Sequence, residues 1–149
     1  MRKYLLLLAT SLTITAYAQI PGAGVTDIDG NNYPSVIIGN QEWLAENLRV
    51  SRYSNGDSIA YTPNASLWNS LSSGAYTWYN DDPGYDSTYG KLYNWYTCVD
   101  ARNACPSGWH MPTKGDWQEL IDTLGGASTA GGAMKDTTSG YWNSPNSMA

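Results

Sequence analysis

The stretch from Cys105 to Gly126, CPSGWHMPTKGDWQELIDTLGG, holds residue types that could do chemistry: a cysteine, two tryptophans and the chain's single histidine, His110. A histidine can serve as a general base or a metal ligand, but the first role needs a nucleophile and the second needs further ligands. The sequence has no second histidine, and no serine–base arrangement can be inferred around His110. We therefore predict a packed or hydrogen-bonded histidine and no catalytic residue.

The same stretch encodes a helix with a signal at each end. Thr113 is a typical N-cap residue, and Asp116, three residues later, completes a capping box. Apolar residues then recur at helical spacing, which predicts one buried face made of Trp117, Leu120, Ile121 and Leu124. The glycine pair at 125–126 is typical of a left-handed helix end. We predict a short strand over residues 109–111, ended by Pro112, directly before this helix.

Residues 1–18 have the three parts of a secretory signal peptide, which would be removed from the mature protein. Arg2 and Lys3 give the positive start, YLLLLATSLTIT the apolar stretch, and AYA at 16–18 the small-residue cleavage site. The apolar stretch is too short to span a bilayer as a stable helix. We expect an exported protein that does not insert into the membrane after the signal is removed.

The two cysteines, Cys98 and Cys105, lie in a chain that we expect to be exported, where thiols are usually oxidised. Their pairing would close a short loop, worth about 2.5 kcal/mol at most in the chain-entropy model. We predict a disulfide, with two buried thiols or a redox pair as the alternatives. Two cysteines without clustered histidines make a poor zinc site.

The composition narrows the range of partners. The formal net charge is −5, which disfavours nucleic acid and anionic membrane surfaces because both require a positive face. The chain has no Phe but seven Trp and twelve Tyr. Aromatic side chains with a polar atom suit surfaces that are packed on one edge and wet on the other, which is typical of a secreted binding protein.

Turn residues and apolar runs divide the rest of the chain. We predict a flexible lead-in at 19–24 and a single domain at 25–149. The domain begins as a β-meander with turns at 29–31 and 39–40, followed by a strand that holds Trp43. Further strands are predicted at 58–61 and 75–79 within polar loops, and residues 89–99 fit either a strand or a short helix.

One polar loop, NDDPGYDSTYG, offers several hard oxygen atoms on neighbouring residues. Calcium takes six to eight such oxygens, so Asn80, Asp81, Asp82 and Asp86 are weak calcium candidates that would need carbonyls or water to complete the site. A solvated turn is the alternative. Calcium is the one cofactor that the sequence suggests.

Four segments in a fixed order resemble a known family: GNQEWLAENL, YGKLYNWY, CPSGWHMPTKGDWQELIDTLGG, and GGAMK followed by YWNSPN. They resemble the Fibrobacter succinogenes major paralogous domain, a family of exported bacterial proteins without an established activity, over about Val25 to Ala149. HMPTKGDWQEL is also similar to the LPTEAEW element of formylglycine-generating enzymes and their C-type-lectin-like relatives. The resemblance implies an α+β, C-type-lectin-like fold with short antiparallel strands and one or two helices.

Members of this family usually continue past the position of Ala149, so we expect the domain to be incomplete at its carboxyl end. In lectin-like folds that later part carries the ligand-facing loops, so the resemblance transfers no ligand residue. It implies instead that the present segments are scaffold, with a core that includes Trp43, Trp95, Trp109, Trp117, Leu120, Ile121 and Leu124.

The functional expectation is an exported binding or surface-display domain of the bacterial exterior or cell envelope, with a glycan or a surface protein as ligand. A structural spacer in a cell-surface assembly is the alternative. A third option is an enzyme related to the formylglycine-generating oxidases, but these depend on a reactive cysteine pair in the later part of the fold, and no cysteine follows Cys105.

Overall fold

The computed structural model describes residues 20–135, which form a mixed α+β structure of short strands and helices. The predicted signal peptide at 1–18 lies outside the described residues, as do Tyr141 and Trp142 of the last family segment. Within residues 20–135, no helix is both long enough and apolar enough to cross a bilayer.

The strands are, in chain order, β1 (Ile20–Pro21), β2 (Val25–Thr26), β3 (Asn32–Tyr33), β4 (Ser35–Ile38), β5 (Gln41–Leu44), β6 (Ala60–Tyr61), β7 (Ala75–Thr77) and β8 (Leu92–Tyr93). The α-helices are α1 (Ala65–Trp68), α2 (Asp86–Tyr89), α3 (Trp95–Cys98), α4 (Lys114–Thr123) and α5 (Ala130–Ala133). Two 3₁₀ turns, Tyr79–Asp81 and Pro83–Tyr85, precede α2.

The strands form three small sheets. One sheet has the order β1-β4-β5, a second pairs β2 with β3, and the third has the order β6-β7-β8. All pairs are antiparallel except β6 with β7, which is parallel. The α+β expectation with short antiparallel strands is confirmed, with this one parallel pair as an exception.

Turn chemistry fixes the register of the β4–β5 hairpin. Gly39 has φ 62°, a left-handed conformation that glycine adopts without a Cβ penalty, and Ile38 pairs with Gln41 across the predicted two-residue turn. β1 extends the same sheet, with Ile20 opposite Ile37. The prediction of a flexible lead-in at 19–24 is therefore wrong at Ile20 and Pro21, because the exposed edge of β4 supplies hydrogen-bond partners that the local sequence does not reveal.

The predicted turn at 29–31 is organised by the buried carboxylate of Asp27. Its Oδ1 accepts hydrogen bonds from the amides of Asp29 and Asn31, and its Oδ2 accepts from the Tyr33 hydroxyl at 2.6 Å. Burial would raise the pKa of Asp27, but the hydrogen bonds from Tyr33 and Asn31 outweigh it and hold the pKa below its usual value. The ion therefore stays charged and closes the β2–β3 hairpin.

Helix α4 begins and ends as its sequence predicts. The Thr113 hydroxyl accepts from the Asp116 amide at 3.3 Å, and the Asp116 carboxylate accepts from the Thr113 amide at 2.7 Å, so the capping box is complete. The chain leaves the helix at Gly125 and Gly126, both with positive φ. The other four α-helices span one turn each, and α1 and α5 are not indicated by the sequence pattern.

Two separate clusters of buried side chains form the interior of the described part of the chain. The first cluster contains Val50, Tyr53, Ile59, Tyr76 and Ala104, with Leu48, Trp78, Tyr93 and Met111 packed against it. The second contains Ile38, Leu120, Leu124 and Ala130, with Val36, Trp43 and Ile121 packed against it. Burial of Leu120 and Leu124 is confirmed, and Trp43 and Ile121 lie half-buried at the edge of the second cluster.

Two of the predicted core tryptophans are exposed. Trp95 is 71 % exposed because α3 is a single turn that directs Thr97 inward, where the Thr97 hydroxyl donates to the Ala75 carbonyl oxygen. Trp117 is 46 % exposed because it lies in the first turn of α4, ahead of the buried Leu120. Trp109 is half-buried. The scaffold prediction is therefore wrong for Trp95 and Trp117.

The segments around these tryptophans also differ from their predicted conformations. Residues 109–111 have no strand partner, so the predicted strand is absent, and the Asn103 side chain instead donates to the Trp109 carbonyl oxygen at 3.1 Å. Residues 89–99 contain both alternatives, since strand β8 is followed directly by helix α3.

The two cysteines are free thiols, so the predicted disulfide is not formed. The loop between them is closed by its own hydrogen bonds: the Asn103 amide donates to the Asp100 carbonyl oxygen, and the Asn103 side chain accepts from the Cys105 amide. Burial raises the pKa of both Cys98 and Cys105, the latter to about 11. The alternative of two buried thiols holds for Cys105, whereas Cys98 is only half-buried.

Candidate functional site

A surface groove of about 620 Å³ lies between β5, the loop that follows it, residues 105–112 and the start of α4. Three indole rings line it, those of Trp43, Trp109 and Trp117, and we call it the tryptophan groove. The volume falls within the range of small-molecule sites in proteins. The groove is thus built from the segment that the sequence analysis assigned to the scaffold.

Trp43 and Trp117, which both line the groove, are in direct contact with each other. Their ring centroids lie 4.9 Å apart with the planes tilted by 45°. Gln41 holds this pair together, because its side-chain oxygen accepts from the Trp43 indole N–H and its amide nitrogen donates to the Asp116 carbonyl oxygen. Strand β5 is thereby fastened to the first turn of α4, and the two rings are fixed relative to each other.

His110 and Asp116 form a polar pair at the rim of the groove. The His110 Nε2 lies 3.2 Å from Asp116 Oδ2, and the imidazole is 70 % exposed. Hydrogen bonds from the side chain and the backbone of Thr113, with a further one from His110, lower the pKa of Asp116 to about 2. The expectation of a hydrogen-bonded histidine is met, although the ring is open to solvent rather than packed.

The lining of the groove contains three acidic residues, Glu42, Glu46 and Asp116, and one histidine, His110. Each carboxylate already has a partner, since Glu42 accepts from the Ser35 hydroxyl, Glu46 pairs with Arg49 at 2.8 Å and Asp116 is capped by Thr113. No lysine or arginine is among the described lining residues. The groove therefore offers aromatic faces and hydrogen-bonding groups, without a site for an anion.

Cys105 also lines the groove but is not a reactive nucleophile in this setting. Burial, with the nearby Cys98 as a smaller cause, raises the Cys105 pKa to about 11. The thiol is therefore protonated at neutral pH, and the thiolate is the form that attacks. The groove thus provides binding groups rather than an activated sulfur.

The weak calcium candidates do not converge on one point. The Asp81 carboxylate accepts from the hydroxyls of Tyr61 and Thr77, and the Asp82 carboxylate accepts from the Gly84 amide at 2.8 Å. Asn80, directly before them, has a left-handed backbone with φ 52°. Within residues 20–135, no group of three or more His, Cys, Asp or Glu side chains is placed to hold a metal ion.

The fourth calcium candidate, Asp86, belongs to a partly buried ion pair that the sequence did not reveal. It accepts from the Trp78 indole N–H at 2.7 Å and lies 3.4 Å from the Lys91 ammonium. The Lys91 side chain is only 7 % exposed, donates to the Arg49 carbonyl oxygen, and lies over the rings of Tyr76 and Trp78. The sequence feature that could have indicated this ion pair is a single lysine, Lys91, within an aromatic-rich stretch.

A family model described as the Fibrobacter succinogenes major domain matches residues 36–148, which include every residue of the tryptophan groove. The chain belongs to the Fibrobacter succinogenes major domain family. The resemblance expected from the four sequence segments is therefore confirmed. Neither a curated protein nor a solved structure matches the chain. In this member of the Fibrobacter succinogenes major domain family, the CPSGWHMPTKGDW segment supplies one side of the groove and strand β5 supplies the other.

Proposed function

We propose that the protein is an exported bacterial binding domain that holds a neutral glycan in the tryptophan groove. The observation that carries this proposal is the contact between Trp43 and Trp117, in which Trp117 remains 46 % exposed. Burying both rings in the second cluster would serve the scaffold better. An indole left open beside a groove is a binding group, because aromatic side chains dominate the energetics of recognition surfaces.

The chemistry of the groove fits a sugar. One face of a pyranose ring carries mainly C–H bonds and stacks on an indole, while its equatorial hydroxyls need hydrogen-bond donors and acceptors at the edge. The Trp43–Trp117 pair supplies the ring faces, and His110, Asp116 and Asn47 supply polar groups around them. This combination of an apolar floor and a few placed polar groups is typical of small-ligand sites.

The charges of the groove favour a neutral sugar over an acidic one. Three carboxylates line the groove, and although Glu46 is paired with Arg49, Glu42 and Asp116 would repel a uronic acid or a sulfated sugar. Hydroxyl groups, by contrast, can donate to carboxylate oxygens. The ligand class that we propose is therefore an uncharged oligosaccharide.

The proposal also includes a location and a fold type. The signal-like residues 1–18 support a location outside the bacterial cytoplasm or in the envelope. The similarity of HMPTKGDWQEL to an element of C-type-lectin-like folds, whose helix matches the capped α4, supports a fold of that type, although residues 109–111 do not form the strand of that element.

The test is isothermal titration of the full chain with a hexasaccharide of β-1,4-linked glucose and, separately, with a hexasaccharide of galacturonic acid. We expect binding of the neutral sugar, weakened about tenfold or more by Trp117→Ala. Trp95→Ala is the matched control, because Trp95 is even more exposed and lies outside the groove. It should bind as the unaltered chain does.

Three outcomes would overturn the proposal. One is the absence of neutral-sugar binding by a chain whose thermal unfolding is cooperative. Another is tighter binding of the acidic hexasaccharide than of the neutral one. The third is a concentration-dependent dimer, detected by sedimentation, that Trp117→Ala dissociates, because the groove would then be the contact between two copies of this chain.

A further inference from the structure

A second, polar depression adjoins the tryptophan groove. It has a volume of about 260 Å³ and shares Leu44, Glu46 and Asn47 with the groove. On its far side it is lined by Ser87 and Thr88 of helix α2. We call it the polar notch. Its hydroxyl, amide and carboxylate groups, together with the guanidinium of Arg49, which pairs with Glu46 at 2.8 Å, are groups that can hydrogen-bond to sugar hydroxyls.

Helix α2, which supplies Ser87 and Thr88 to the polar notch, also supplies Tyr89 to a cluster of three tyrosines, Tyr79, Tyr85 and Tyr89, which we call the tyrosine triad. The three ring centroids are 5.4–5.5 Å from one another, and the Tyr85 and Tyr89 rings are stacked at 29°. Tyr79 and Tyr89 are each 48 % exposed. About half of the surface of Tyr79 and of Tyr89 is therefore open to solvent, while Tyr85 is half-buried.

The backbone that forms the tyrosine triad adopts an uncommon conformation. Asn80 and Asp81 follow one another with φ 52° and 57°, a region that non-glycine residues rarely occupy. Hydrogen bonds from Tyr61 and Thr77 hold the Asp81 carboxylate in this turn. Such conformations cluster at binding sites, where the surrounding contacts enforce them. Here they fold Tyr79 back onto Tyr85 and Tyr89.

The three surfaces are joined by direct contacts. Asn47, which lines both the groove and the notch, donates from its side-chain amide to the Tyr89 carbonyl oxygen at 3.0 Å. Ser87 and Thr88 precede Tyr89 within the single turn of α2. The helical turn that lines the polar notch therefore also carries Tyr89, one member of the tyrosine triad.

We propose that the ligand is an extended polysaccharide chain that runs from the tryptophan groove across the polar notch onto the tyrosine triad. This inference rests on the proposed glycan function and adds a second aromatic contact region to it. Alternating aromatic and polar contacts match a linear sugar chain, whose successive rings each present a C–H face and a hydroxyl edge. A mono- or disaccharide in the groove would leave the triad unused.

The experiment compares chain lengths. The disaccharide and the hexasaccharide of β-1,4-linked glucose are titrated into the full chain and into the double variant Tyr85→Ala/Tyr89→Ala. We expect the hexasaccharide to bind the unaltered chain at least tenfold more tightly than the disaccharide does. The double variant should lose most of this advantage while its disaccharide affinity stays unchanged. Tyr96→Ala is the control, because Tyr96 is 42 % exposed on α3, outside all three surfaces.

The outcomes separate this inference from the function on which it rests. If Trp117→Ala weakens binding of both sugars but the tyrosine variant binds the hexasaccharide normally, the extended site is wrong and the groove proposal stands. If neither sugar binds the unaltered chain, the proposed function fails first. A tyrosine variant that loses affinity for both lengths equally would also overturn the inference, since the triad would then act through the groove.

Discussion

Asp116 combines three roles in one side chain, since it caps α4, bonds His110 and lies at the rim of the tryptophan groove. The hydrogen bonds from Thr113, followed by the one from His110, stabilise the charged form and lower its pKa from 3.8 to about 2. Because the folded pKa lies below the unfolded one, this carboxylate stabilises the fold above about pH 4. That contribution is lost as the pH falls towards 2.

The substitution Asp116→Asn should therefore reduce the acid sensitivity of the protein. Asparagine keeps an oxygen that can accept from the Thr113 amide, but it carries no charge that a proton can remove. We expect its melting temperature to fall less steeply than that of the unaltered chain between about pH 4 and pH 2. Thermal unfolding followed by circular dichroism at several pH values measures this. Equal slopes for the two proteins would contradict the assignment.

Elements defined by local chemistry are the ones that the sequence predicts well. The capping box of Thr113, the turn at Gly39 and the carboxylate-centred turn after Asp27 depend on neighbours within a few residues. Elements that depend on distant partners are not predictable in this way. Strand β1 forms because the free edge of β4 provides backbone hydrogen-bond partners. The exposure of Trp117 depends on which residues the second cluster buries. The tryptophan groove could not be predicted for the same reason. Helical spacing identifies the apolar face of α4, but it does not show which residues of that face other elements bury.

Gly90 lies where the end of helix α2 packs closely against Asn47 and Leu48, in the loop after β5. It has φ 66°, and an added Cβ would lie 2.8 Å from both the Asn47 Cβ and the Leu48 carbonyl oxygen. Gly90→Ala should therefore cost about 3 kcal/mol of unfolding free energy, from backbone strain and overpacking together. Gly56→Ala is the matched control, because Gly56 also has positive φ but nothing within 4 Å, and it should cost about 1 kcal/mol. Urea unfolding measures both, and equal costs would contradict the close approach.

At the scale of the whole molecule, the interior formed by residues 20–135 consists of two clusters that share no residue. The first packs under the β6-β7-β8 sheet through Ile59 and Tyr76, and the second lies between α4 and the β4–β5 hairpin through Leu120 and Ile38. The tryptophan groove lies at the edge of the second cluster, where Trp43 packs. Stability on the two sides should therefore be nearly independent.

A double-mutant cycle tests this independence. Ile59→Ala and Leu120→Ala each remove a buried side chain and should each cost about 3 kcal/mol, since both positions are at most 3 % exposed. If the clusters are separate, the double variant should cost the sum, with a coupling energy below about 0.5 kcal/mol. Where the double variant is too unstable, Ile59→Val with Leu120→Ala gives the same comparison. A coupling above about 1 kcal/mol would show one continuous core.

The contact between Trp43 and Trp117 has a spectroscopic consequence. Two indole chromophores whose centroids are 4.9 Å apart, with planes tilted by 45°, couple their electronic transitions. Such coupling gives a pair of circular-dichroism bands of opposite sign, whose size follows the distance and the tilt of the rings. Any molecule that settles against these rings would alter the bands, so the protein carries its own optical signal for occupancy of that surface.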